Sequence, residues 1–90
     1  MNREQFDGQT DELTAKQDLL HLVLYNDDFN TFEHVIESLV DVCHHTPEQA
    51  EQCAIIVHNK GRYEVKSGSY KRLLPMKNGL IDRGLTVSIE

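Results

Sequence analysis

Ninety residues with a net charge of −6 suffice for one domain around one core, and they hold no basic cluster suited to nucleic acid or an anionic membrane. Cys43 and Cys53 lack CxxC spacing, no apolar signal segment opens the chain, and no apolar run reaches the roughly 18 residues of a membrane span. This balance predicts a cytoplasmic, reduced monomer whose partners are cationic or basic peptides.

The first 17 residues contain few apolar side chains and no sustained period, so burial cannot offset their ordering entropy. Residues 1–17 are therefore expected to form a flexible N-terminal extension, followed by a domain over 18–90. Leu19 to Tyr25 is too short for a typical helix and apolar enough for a buried strand, and it runs directly into Asn26, Asp27 and Asp28. From Phe32 the period changes to three and four: Phe32, Val35, Ile36, Leu39, Val40 and Cys43 share one helical face, with Thr31 or Asn30 as N-cap.

His44 and His45 close that helix, and Thr46-Pro47-Glu48-Gln49 opens the next with a capping box and a proline in the first turn. Ala50, Cys53, Ala54, Val57 and His58 continue a single stripe up to Gly61, a natural C-cap, which puts His58 where a core residue would stand. Arg62 to Ser67 alternates as a half-buried strand, with Tyr63 and Val65 facing in and Arg62, Glu64 and Lys66 facing out, ended by Ser67-Gly68-Ser69. Pro75 confines the third helix to about Leu74–Arg83; Gly84 stops it, and Leu85, Val87 and Ile89 mark a last strand. The order β-α-α-β-α-β predicts an α+β fold: a single small domain with a three-stranded antiparallel sheet and three helices on one face.

Asp27 and Asp28 lie where an electropositive helix mouth favours anions, yet two carboxylates exceed what a cap needs, and the surplus acceptors call for a cation. Calcium fits poorly, because an EF-hand loop begun at Asn26 has Thr31 where the turn requires glycine. The Cys and His residues offer zinc-ligand types without zinc-ligand spacing, and no Ser or Cys sits in a nucleophile elbow. No catalytic residue, metal ligand or cofactor is expected. Cys43 and Cys53 read as buried core residues. His58 keeps two readings, a core histidine with both ring nitrogens satisfied or a ligand-binding side chain.

Tyr25-Asn26-Asp27-Asp28-Phe29, Phe32-Glu33-His34-Val35-Ile36, Glu48-Gln49-Ala50-Glu51-Gln52 and Val57-His58-Asn59-Lys60-Gly61 resemble the ClpS family, the adaptors that bring N-degron substrates to Clp proteases. The resemblance spans Leu19 to Glu90 and weakens after Gly61. It implies a protein that is not an enzyme and binds the free α-amino group and first side chain (Leu, Phe, Tyr or Trp) of N-degron peptides. Delivery would be to a Clp AAA+ ATPase of the ClpA or ClpC type. By the same resemblance Asn26, Asp27 and His58 would bind the α-amino group, and Asp28 and Asn30 would support the peptide backbone. Phe32, Val35, Ala54, Val57 and Leu85 would line the side-chain pocket, with the residue at position 32 excluding β-branched Ile and Val.

The chain departs from the family pattern at Asn30-Thr31-Phe32, where many members carry Thr-Pro-Met, and at Ala54, where methionine is common. Lys71-Arg72-Leu73-Leu74-Pro75 replaces a stretch that is commonly acidic where the family meets its unfoldase. The alternative reading is a small structural or assembly domain of the same fold with no amine-binding role.

Overall fold

The apolar strand β1 (Leu20–Tyr25), with Leu22, Val23 and Leu24 all buried, lies at the centre of the sheet with both edges paired. The computed structural model describes residues 19–90; the expected extension over 1–17 lies outside them. After β1 come α1 (Phe32–Cys43), α2 (Pro47–Lys60), β2 (Arg62–Gly68), α3 (Tyr70–Asp82) and β3 (Thr86–Ile89). Both outer strands pair antiparallel with β1, giving the order β2-β1-β3. The helices cover one face, where Leu22 and Leu24 meet Leu39, Val57, Leu73 and Leu80. Each such leucine contributes roughly 1.5 to 3 kcal/mol on burial. Among the described residues no helix is long and apolar enough to cross a membrane.

Both expected N-caps form. Thr31 Oγ1 accepts from the His34 amide, and Thr46 with Gln49 makes the reciprocal capping box. His44 ends α1 in the left-handed region at φ 61°. His45 does more than close a helix: its Nε2 lies 2.8 Å from the Val65 carbonyl, which can only accept, so Nε2 carries the proton and Nδ1 faces the Cys53 thiol. Burial, the main influence, holds the His45 pKa below the ordinary histidine value. Cys43 is fully buried, and the same loss of solvation pushes its thiol up to about 11.

Strand β2 departs from simple alternation. Leu22 pairs with Lys66 but Val23 pairs with Glu64, so a bulge at Val65 resets the phase. Glu64 and Ser67 share the outer face with Val23 and His21, while Lys66 and Gly68 fall on the helix side with Leu22 and Leu20. The expected outward Lys66 is thus corrected, and the strand runs on through Ser67 to Gly68.

The third helix also differs from expectation. It begins at Tyr70 under a Ser69 cap, so Pro75 sits in the second turn rather than the first. Proline there forfeits one backbone hydrogen bond and crowds the preceding turn. The helix persists because Leu73 and Leu80, one on either side of Pro75, are both fully buried while Pro75 faces solvent. Gly79 gains its reason from packing: a Cβ there would lie 2.9 Å from Val42 Cγ1, so its bare backbone lets α3 approach α1.

Candidate functional site

The sheet's central strand delivers Asn26 to the mouth between the start of α1 and the end of α2. Asn26 is pinned there by its amide, which donates to the Gly61 carbonyl at 2.9 Å. Gly61 adopts φ 92° to cap α2, its own amide returning to the Val57 carbonyl at 2.8 Å. One left-handed glycine thus sets the loop and the last turn of α2 side by side.

Asp27 builds the loop. Its Oδ1 accepts the amides of Phe29 and Asn30, each at 2.9 Å, and its Oδ2 accepts Asn30 Nδ2 at 2.8 Å. Burial, the largest single influence, pushes the Asp27 carboxyl up, but the bonds from Asn30 and Phe29 together prevail and hold it below the ordinary value. Asn30 passes the restraint on, because Nδ2 also donates to the Gly84 carbonyl at 3.0 Å. His34 reaches the same turn, donating from Nε2 to the Arg83 carbonyl at 2.7 Å. The loop between β1 and α1 is therefore tied to the turn between α3 and β3.

The loop and the helix ends enclose a cavity of about 450 Å³, lined by Asn26, Asp27, Asp28, Asn30, Phe32, Val35, Ala54, Val57 and His58. Its size falls in the range typical of small-ligand sites, roughly 300 to 1,000 Å³. Nine of the ten expected site residues thus meet around one space. The tenth, Leu85, is buried beside a void of about 20 Å³ whose lining shares Asn26, Asp27, Asn30, Val35 and Val57 with the main cavity, so it forms floor rather than wall.

Two placements differ from a simple apolar stripe. His58 is exposed, so the core-histidine reading is overturned: one helical step past the buried Val57, the imidazole turns onto the cavity rim. Phe32 is 39% exposed and stands at the mouth. Among the described residues, no hydrogen bond engages the side chains of Asn26, Asp28 or His58, which leaves polar atoms available opposite the apolar wall of Val35, Ala54 and Val57. Arg83 and Gly84 escape sequence reading because they act through backbone carbonyls, which any residue supplies. No group of three or more potential metal ligands occurs among the described residues.

A family model described as the ATP-dependent Clp protease adaptor protein ClpS matches residues 15–88. The chain is 37% identical over 43 residues to the ATP-dependent Clp protease adapter protein ClpS of Nitratidesulfovibrio vulgaris, covering 48% of this chain and 43% of that protein. It is also 41% identical over 66 residues to the E3 ubiquitin-protein ligase ubr-1 of Caenorhabditis elegans, covering 73% of this chain and 3% of that protein. The chain therefore spans less than half the length of either relative. The fold is similar to that of Agrobacterium tumefaciens ClpS2, solved bound to L-phenylalaninamide, with a TM-score of 0.69 at 17% identity over 81% of this chain and 95% of that one. With the family model spanning most of its residues, the chain belongs to the ClpS family of Clp protease adaptor proteins.

Proposed function

We propose that this domain captures the free α-amino end of N-degron polypeptides together with a bulky first side chain, and presents them to a proteolytic machine. The observation that carries the reading is the meeting of unengaged acceptors and an apolar wall in one cavity. An α-amino group, with a pKa near 7.7 to 8.0, is largely protonated at neutral pH and offers three donors. Asn26 Oδ1, the remaining acceptor capacity of Asp27 and a His58 ring nitrogen are the groups proposed to accept them. Asp28 and Asn30 support the peptide backbone. Phe32, Val35, Ala54, Val57 and the Leu85 floor take Leu, Phe, Tyr or Trp, and Phe32 at the mouth disfavours branching at Cβ.

Side-chain burial of roughly 1.5 to 3 kcal/mol and charge-assisted bonds of roughly 1.5 to 3 kcal/mol each, less association costs, give micromolar affinity. The test is fluorescence anisotropy with short peptides beginning Leu, Phe, Tyr, Trp, Ile or Met, each free or acetylated. Binding should be confined to free-amine, bulky, unbranched ends. Equal binding of acetylated peptides would remove the amine from the recognition, and binding of none would return the domain to a purely structural role. A Clp AAA+ ATPase is the proposed recipient. The likeness to ubr-1 favours a second recipient, a ubiquitin ligase to which the same recognition module belongs, and co-purification with tagged ATPase or ligase would separate the two.

A further inference from the structure

Every N–H that Asn30 owns is already given away inside the protein. Its backbone amide donates to Asp27 Oδ1 at 2.9 Å, and its side-chain Nδ2 donates to Asp27 Oδ2 at 2.8 Å and to the Gly84 carbonyl at 3.0 Å. An asparagine side chain has two amide hydrogens, so none remains to donate to a peptide. Asp27 is in the converse position. Oδ1 accepts two amides and Oδ2 accepts one hydrogen, so the acceptor capacity left for an ammonium group lies on Oδ2, the oxygen that Asn30 holds.

The other end of this brace is fixed. The Gly84 carbonyl shares a peptide plane with the Leu85 amide, which donates to the Leu80 carbonyl at 3.0 Å, and the Gly84 amide donates to the Ile81 carbonyl at 2.9 Å. Gly84 makes the turn at φ 87°, a left-handed value that glycine adopts without strain. His34 donates to the adjacent Arg83 carbonyl at 2.7 Å and ties the start of α1 to the same turn. Neither Gly84 nor His34 lines the cavity. A hydroxyl at position 30 would have one hydrogen for two acceptors, so a brace with two hands needs an amide.

We propose that Asn30 is a positioning residue which, braced on the Gly84 carbonyl, aims Asp27 Oδ2 at the ammonium group of a bound peptide. This role rests on the α-amino reading of the cavity, and the support that Asn30 gives a peptide is exerted through Asp27. A cation meets a fixed acceptor at less cost than a mobile one, because the ordering has been done on folding. The turn after α3 therefore sets affinity for the amine from outside the cavity. Choice among first side chains stays with the apolar wall of Val35, Ala54 and Val57.

Two measurements on the full chain test this role, one of them free of ligand. In an NMR titration of side-chain carboxyl carbons, Asn30→Ala should move Asp27 back up towards its ordinary value, since a bond that favours the carboxylate is lost. In fluorescence anisotropy, Asn30→Ala should weaken free-amine Leu and Phe peptides by the same factor, about tenfold for one misaimed charge-assisted bond, and Asn30→Thr by a smaller one. In an Asp27→Asn background, Asn30→Ala should cost nothing further, because no carboxylate is left to aim. An unmoved Asp27 titration, full affinity in either Asn30 variant, an unequal loss for Leu and Phe ends, or an additive loss in the Asp27→Asn background would overturn the role. Failure of the unaltered chain to bind any free-amine peptide would instead overturn the α-amino reading itself.

Discussion

Asp27→Asn replaces a carboxylate with an amide of the same shape, and the loop geometry sets the cost. With the amide oxygen kept on the Phe29 and Asn30 backbone N–H groups, the new amino group faces Asn30 Nδ2, donor against donor. One charge-assisted bond is lost and two lose their charge. Such bonds are worth roughly 1.5 to 3 kcal/mol each when shielded, and partial exposure of the loop reduces this, giving a loss of about 1 to 2 kcal/mol. For a domain of this size that lowers the melting temperature by roughly 4 to 15 °C. The loss also has a pH signature. Because the folded Asp27 pKa is depressed, its stabilisation is present above the unfolded carboxyl value near 3.9 and disappears as pH falls through the lower folded value. Circular-dichroism melts of both proteins should differ at neutral pH and converge under acid. Equal melting temperatures at neutral pH, or a gap unchanged by acid, would refute the assignment of Asp27 as the loop's anchor.

Gly79→Ala gains helix propensity of about 1 kcal/mol but drives a methyl to 2.9 Å from Val42 Cγ1, so urea denaturation should report a net loss of about 1 kcal/mol. In a Val42→Ala background the same change should stabilise; destabilisation there would remove the contact as the cause. His45, held neutral by burial, contributes stability that is complete above the unfolded histidine value near 6.5 and declines as pH falls below it, where the unfolded chain takes up the proton first. Urea titrations at several pH values should show a shallower decline for His45→Gln, and parallel curves would refute the reasoning.

Elements whose signals are local could be read from the chain. The Thr46 capping box, the Thr31 cap and the three-four spacing after Phe32 each act within one helical turn, and each appears where it was expected. Pro75 misleads because its cost is local while the burial of Leu73 and Leu80 that outweighs it is tertiary. The bulge at Val65 is invisible for a similar reason: register belongs to a strand pair, and His45 reaches Val65 from another element. At the candidate site the pocket wall came from the family resemblance, while the carboxylate loop and the outlying His58 were legible by residue type and position. Their tethers were not, since Asn30 and His34 are held by the carbonyls of Gly84 and Arg83, groups with no residue signature. His58 shows the limit of periodicity, because a stripe position near a helix end can overlook a cleft instead of the core.

The central place of β1 bears on how the domain acquires its structure. Strand β1, the first among the described residues, pairs with both later strands, one of them Thr86–Ile89, so neither edge of β1 is completed by its neighbours in sequence. Contacts of such separation slow folding, since long loops must close before pairing is rewarded. During synthesis the loop between β1 and α1 emerges well before its clasp to Gly84 and the Leu85 floor. A nascent chain halted before residue 84 would carry Asn26, Asp27 and His58 and still lack a shaped pocket.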